Sequence, residues 1–277
     1  MKRLIFTSLA LIALSGLFSE RAAAQQDSTA KPDTTIRKEK KFTITYRGRA
    51  KYNSKQDSAR RDSIKRRSSR TGFTGGITFT RIDLGFSKLI DNGSFSLSPT
   101  NDFLDYKPGK TSTFSFDVLQ YGYRFSPNFK VYLAGGFDWT LIRLKKNITI
   151  QNNTADLSYV DETINFSKNR FSSSYVHFPL NFELRTKEND KGNRFYFVFG
   201  PEIGFLLNGK IKQISDENGK EKVKDDYHFQ PFRYGGSLRI GYGSLGIFTK
   251  YYASDMFDTA AQKGLKNMSF GITLGLN

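Results

Sequence analysis

The 277-residue sequence has no cysteine, two histidines and one tryptophan. The missing cysteine excludes disulfide frameworks, thiolate metal sites and a thiol nucleophile. It also excludes a lipoprotein, which needs a cysteine at its mature N-terminus. With only His177 and His228, and no His-Glu-x-x-His or Cys/His cluster, metal chemistry has little to build on; no metal site or cofactor is expected. Long apolar runs are also missing. Beyond the N-terminus no stretch could cross a bilayer as a helix, and the mean hydropathy is −0.50. Yet aromatics make up 15% of the chain, including 26 phenylalanines. Many aromatics without long apolar runs suit strands whose two faces meet different surroundings.

The N-terminus carries the clearest local signal. Lys2 and Arg3 precede a mostly apolar Leu4–Leu17, and Ala22, Ala23 and Ala24 offer an A-x-A site before Gln25. This predicts a cleaved secretory signal over residues 1–24, too short for a membrane span. Residues 25–70 hold fifteen Lys/Arg and five Asp/Glu, about +10 of the total +17. A segment so charged and so poor in apolar residues is expected to be largely disordered and periplasmic; only Lys41–Gly48, KFTITYRG, alternates like a strand.

From Thr71 the period becomes two. Met268, Phe270, Ile272, Leu274 and Leu276 alternate with Ser269, Gly271, Thr273, Gly275 and Asn277. The same pattern recurs around 129–141, 176–185, 195–207 and 232–242, and less cleanly around 77–86, 114–123 and 245–253. Alternation of this kind predicts eight half-polar strands. In 77–86 and 114–123 the apolar face shifts by one residue, which predicts β-bulges. Pro179 and Pro201 fall inside strands, where each removes a ladder donor.

The connections sort by length. Residues 126–128, 187–193 and 243–244 are short turns; 91–112, 147–170, 208–226 and 254–266 are long. Strict alternation of long and short puts all short turns at one end, the pattern of an outer-membrane barrel. The fold expected is therefore all-β: an eight-stranded antiparallel transmembrane β-barrel over 71–277. The secretory signal and the bulky aromatic faces place the apolar residues toward lipid. Lys130, Asp138, Glu183, Arg185, Glu202, Arg233, Arg239 and Lys250 then point inward as a mixed-sign plug, and no continuous pore is expected.

Three segments carry a resemblance. YVHFPLNFELR (Tyr175–Arg185), FGPEIGFLL (Phe199–Leu207) and LGIFTKYYASDMF (Leu245–Phe257) resemble the PorT-like outer-membrane β-barrel family of Bacteroidota. Phe178 stands before Pro179 where that family typically has an aliphatic residue. The likeness spans 71–277. It implies an eight-stranded barrel in the outer membrane and no single activity, since some members serve secretion or gliding.

The chemical candidates are few. Asp226 and His228, at i and i+2, would share one strand face at the outer rim, with Asp102 and Asp105 in another external loop. A hydrolase would need these to converge with an orienting third group; the expectation is no catalytic residue and no enzyme. His177 is expected to be a packed, hydrogen-bonded lumen residue. Gly241, Gly243 and Gly246 match G-x-G-x-x-G but link two strands, so a tight turn is expected rather than a dinucleotide site. The function expected is structural, anchoring or secretion-assisting; a small-solute porin is the first alternative and a rim hydrolase the second. Expected partners are outer-membrane lipid, envelope or secretion proteins and, through the basic segment, peptidoglycan. Nucleic acid is not expected, because export separates the chain from it.

Overall fold

A computed structural model describes residues 71–152, 154–189 and 192–275. The expected signal, the basic segment with its KFTITYRG stretch, and Leu276 and Asn277 lie outside the described residues. The strands are β1 (Gly72–Asp91), β2 (Ser112–Ser126), β3 (Phe129–Arg143), β4 (Ile148–Ile150), β5 (Tyr159–Asp161), β6 (Phe166–Arg185), β7 (Phe195–Ser215), β8 (Gly219–Asp225), β9 (Phe232–Tyr242), β10 (Leu245–Tyr252) and β11 (Leu265–Gly275). Short 3-10 turns occupy Pro99–Leu104, Pro108–Lys110 and Ala260–Gln262.

Eight strands form a closed antiparallel ring in the order β1, β2, β3, β6, β7, β9, β10, β11, and β11 returns to β1. Closure leaves no unpaired edge, which is the condition for a sheet to stand in hydrocarbon. β8 pairs with the far part of β7, and β4 and β5 form a small hairpin in the loop between β3 and β6. The turns β2–β3, β6–β7 and β9–β10 lie at one end, and the four longer connections lie at the other.

Sidedness follows the alternation. Phe73, Ile77, Leu84, Leu133, Leu180, Phe197, Phe205, Ile240, Ile247 and Ile272 are exposed outward, while Asp83, Asp117, Asp138, Glu202, Arg239 and Lys250 are buried within. The expected phase shifts are real. Asp117 pairs with Gly136 and Leu119 with Gly135, so Val118 is the extra residue of a bulge. β1 shifts register against β2 between Ile77 and Arg81. The prolines stay inside regular register, Pro179 opposite Glu202 and Pro201 opposite Gly236.

Two expected loops are shorter than the sequence pattern suggested. β6 begins at Phe166 and β7 continues to Ser215, where a turn ending at Gly219 (φ +66°) starts β8. The reason is visible in Ile211, Gln213 and Ser215, which are buried on one face while Lys210, Lys212 and Ile214 take the other; Asn218-Gly219 is a standard hairpin signal.

Candidate functional site

The ring directs one charged side chain after another into the lumen, because inward positions recur every second residue. Asp83 comes from β1, Asp117 from β2, Asp138 from β3, His177 from β6, Glu202 from β7, Arg233 and Arg239 from β9, and Lys250 from β10. A guanidinium nitrogen of Arg239 lies 2.8 Å from Asp83 Oδ2. Lys250 Nζ sits 3.3 Å from Asp83, 3.2 Å from Asp138 and 2.7 Å from Ser115 Oγ. Arg233 lies 3.0 Å from Asp138 and is sandwiched between the rings of Tyr175 and Tyr252, 3.8 and 3.9 Å from their centroids. The Tyr252 hydroxyl donates to Glu202 at 2.7 Å.

His177 joins the remaining carboxylates. Its two ring nitrogens lie 3.0 Å from Asp117 Oδ1 and 3.0 Å from Glu202 Oε1. Carboxylate oxygens only accept, so the arrangement fits an imidazolium. Four carboxylates then face four cations. Burying charge is tolerable only under such pairing.

Toward the short turns the plug continues. Arg185 pairs with Glu183 and Arg194 with Glu188, and Lys130 Nζ stands 4.5 Å over the Tyr132 ring. A cavity of about 340 Å³ opens at this end, lined by Arg81, Glu183, Arg185, Arg194 and Tyr196 among others. A cavity of about 20 Å³, near Tyr175, Arg233 and Tyr252, shares no lining residue with it.

The far end is closed differently. Leu89, Phe103, Leu104, Ile142, Ile148, Phe171, Ile211, Phe229, Phe257 and Leu265 belong to one buried apolar cluster contributed by the long connections and strand tops. Phe171 stacks on Phe229 at 4.7 Å and Phe229 on Phe257 at 4.9 Å. This cap is a second core, separate from the charged one.

Asp226 and His228 lie at the cap's rim and not on a strand. Tyr227 and His228 both take left-handed backbone conformations (φ +49° and +55°). The turn drives Tyr227 into the cap, where burial and then the Asp225 charge push its phenol up to about 12. Asp226 accepts from the His228 backbone N–H at 3.2 Å. The His228 ring turns elsewhere, 3.3 Å from Asp258 and 2.9 Å from the Thr154 carbonyl. The i, i+2 alignment expected for a strand is thus replaced by a tight turn. Asp102 and Asp105 are occupied by Lys146 and Lys145 and are not brought to this histidine.

The G-x-G-x-x-G pattern has a packing cause. Gly241 and Gly246 pair across β9 and β10. A Cβ at either would lie 2.4 or 2.5 Å from the Tyr196 hydroxyl oxygen, so both are glycine to admit that ring. Gly243 (φ +61°) makes the turn.

Among the described residues one triplet, Asp138, His177 and Glu202, has donor atoms close enough to hold a metal ion. Arg233 and Lys250 stand against Asp138. A cation there would face two fixed positive charges, so the donor set does not fit one.

Comparison with known proteins agrees with this architecture. The model of the outer membrane protein beta-barrel domain family matches residues 49–256. The chain belongs to that family. Among solved structures, Ail, the attachment invasion locus protein of Yersinia pestis, is 16% identical, with 74% of this chain and 98% of that chain covered and a TM-score of 0.32. Ail in complex with the heparin analogue sucrose octasulfate is 15% identical, with 74% and 97% covered and a TM-score of 0.31. No curated protein matches the sequence.

Family membership places this barrel in the outer membrane, and the loop lengths orient it. Short turns belong on the periplasmic side and long loops outside, so the cap is extracellular and the 340 Å³ vestibule periplasmic. Aromatic pairs mark the periplasmic girdle, Phe125 with Phe129 at 5.6 Å and Phe195 with Tyr242 at 4.7 Å. Toward the other interface Phe114 stacks on Trp139 at 5.5 Å. The lumen plug was legible in part, as the inward charges of the later strands; Asp83 and Asp117, on the two strands whose apolar face shifts phase, were missed, and so was the cap, because its residues come from four separate connections with no shared period.

Proposed function

We propose that this outer-membrane barrel is a closed, non-conducting anchor or scaffold of the envelope that assists a machine such as secretion, rather than a solute channel or an enzyme. The observation that carries this reading is the pair of seals in series between the vestibule and the outside, an ion-paired lumen and an apolar cap. A channel needs a hydrated route, and this interior spends its inward positions on mutual pairing. The PorT-like likeness of Tyr175–Arg185, Phe199–Leu207 and Leu245–Phe257 supports a secretion-related role.

On this reading residues 1–24 are removed on export, and the basic 25–70 works in the periplasm. β1 starts at the short-turn end, with Gly72 opposite Arg124, which supports the periplasmic assignment of that segment. Its charge suits an anionic partner such as peptidoglycan, or an acidic face of an envelope protein. The full chain in planar bilayers is expected to give no stepwise current. Affinity isolation with 25–70 intact and deleted is expected to show a partner lost on deletion. Porin-like conductance would overturn the closed-scaffold reading; an unchanged partner set would remove the role of the basic segment.

A further inference from the structure

The outer parts of β3, β6, β7 and β8 carry an arrangement of charge that the closed-barrel reading does not use. Arg143 on β3 pairs with Arg170 on β6, Arg170 with Lys212 on β7, and Lys212 with Lys222 on β8. Four cations therefore form one rung across four neighbouring strands. The next rung outward pairs Lys168 with Ile214 and Ile214 with Lys220; the next inward pairs Lys210 with Lys224. Like charges directly opposite each other destabilise a sheet. Yet among the described residues none of these cations makes an ion pair with a carboxylate. Arg170 Nε is buried and has no hydrogen-bond partner.

The patch faces outward. Ile211 and Gln213, between the β7 lysines, are buried toward the cap, so Lys210 and Lys212 turn away from it. Glu221, Val223 and Asp225 alternate with the β8 lysines and take that strand's other face. The patch also continues the lipid-facing surface. Arg143 shares its face with Trp139 and Leu141 and lies four and two residues beyond them, about 13 and 7 Å along the strand. On β3 the positive rung thus begins where the extracellular edge of the apolar belt ends, while on β6 and β7 Ser172, Ser174 and Asn208 lie below it on the same face.

We propose that the rung Arg143–Arg170–Lys212–Lys222 and its flanking lysines form a binding surface for the phosphate groups of outer-leaflet lipid. The argument is charge complementarity at a fixed depth. Lipid packed against Phe114, Trp139 and Leu141 brings its headgroup to the height of the rung. Phosphates there neutralise the cross-strand repulsion of the rung. The mutual repulsion is visible in Lys168, held below the ordinary lysine value first by the Arg170 charge, and in Arg143, lowered by burial and then by Arg170. The inference rests on the outer-membrane location and is independent of whether the lumen conducts.

The test uses the full chain in nanodiscs of phosphatidylcholine doped with bisphosphorylated lipid A or its dephosphorylated form. Lipid retained after transfer to neutral detergent is counted by native mass spectrometry. Wild type should retain the phosphorylated lipid, and Arg170→Gln/Lys212→Gln/Lys222→Gln should lose about tenfold or more of that affinity, given the contribution of each cation near an anionic surface. The dephosphorylated lipid should be retained by neither. In neutral detergent the triple variant should melt at an equal or higher temperature, because it has lost only repulsion; this separates a lipid site from a structural role. Equal retention of lipid A by variant and wild type would overturn the proposal, as would equal retention of the two lipids. Charge-dependent binding of heparin by wild type, without retention of lipid A, would assign the patch to a soluble polyanion and overturn the lipid reading.

Discussion

At the level of single residues, the lumen gives sharp expectations because its pairing is asymmetric. Asp83 is held by Arg239, Lys250 and Ser115, whereas the other hydrogen bond of Arg239 goes to Ser237. Asp83→Asn therefore removes the carboxylate within ion-pair distance of the fully buried Arg239 guanidinium, while Arg239→Met leaves Asp83 with a cation. Breaking a buried pair costs about 3–5 kcal/mol when the survivor is uncompensated, so Asp83→Asn is expected in that range and Arg239→Met below it. The double variant should cost less than the sum. Urea titration in lipid vesicles, followed by the fluorescence of Trp139, measures all three. Equal single effects that simply add would contradict the pairing described above. Outside the membrane, Asp91 offers a pH test. Burial works against its charge, but the Ser98 backbone N–H at 2.7 Å and the Asn101 and Asn92 amides outweigh that and hold its carboxyl below the usual value. A depressed folded-state pKa contributes stability above the unfolded value, lost as pH falls through the folded one. Asp91→Asn should then weaken the 92–111 loop by about 1 kcal/mol at neutral pH, with the difference from wild type vanishing in acid. Hydrogen exchange of that loop at pH 7 and at a pH well below the ordinary aspartate value reads the effect.

At the level of elements, strand positions, bulges and sidedness could be read from the sequence because one face of each strand meets lipid and the other a polar interior. Phe129, Val131 and Leu133 share one face and Lys130 and Tyr132 the other, and the secretory signal with the bulk of the aromatic faces assigns the first to lipid. The pattern failed where that contrast ends. Beyond the membrane the buried face of β7 is Ile211, Gln213 and Ser215 and the other face is Lys210, Lys212 and Ile214, so the stretch looks like a polar loop although its alternation is intact. Asp226–His228 failed for another reason. Two successive left-handed residues leave no mark in composition, and only the packing of Tyr227 into the cap requires them. The closing seam was also unreadable, since no periodicity says which strands meet. Gly85 lies opposite Gly271 between β1 and β11, and a Cβ on Gly85 would sit 2.2 Å from the Phe270 carbonyl oxygen. Gly85→Val should therefore cost at least the 1–3 kcal/mol typical of overpacking and impair closure. The check is the mobility shift between unheated and boiled samples on a gel, which a closed barrel shows and this variant should lose in large part.

At the level of the molecule, the chain places two different cores one above the other: a charged one within the membrane and an apolar one above it. Their chemistries are complementary in what they exclude. The lumen network removes room and leaves small polar gaps, while the cap of Leu104, Ile142, Phe171, Phe229 and Phe257 presents ions with a surface they cannot cross without losing water. Two seals in series predict a non-additive result. Neutralising and shortening the lumen set, as in Arg233→Ala/Lys250→Ala/Asp138→Ala, should leave the bilayer current at background because the cap still closes the outer end. Thinning the cap alone, as in Phe229→Ala/Phe257→Ala, should do the same because the ion pairs remain. Combining them should produce discrete current steps, smaller than those of a general porin because eight strands enclose little more than packed side chains. Circular dichroism and the heat-dependent mobility shift establish that each variant has folded. Current from the cap variant alone would mean that the lumen pairs do not seal, and the closed-scaffold reading would then rest on the cap.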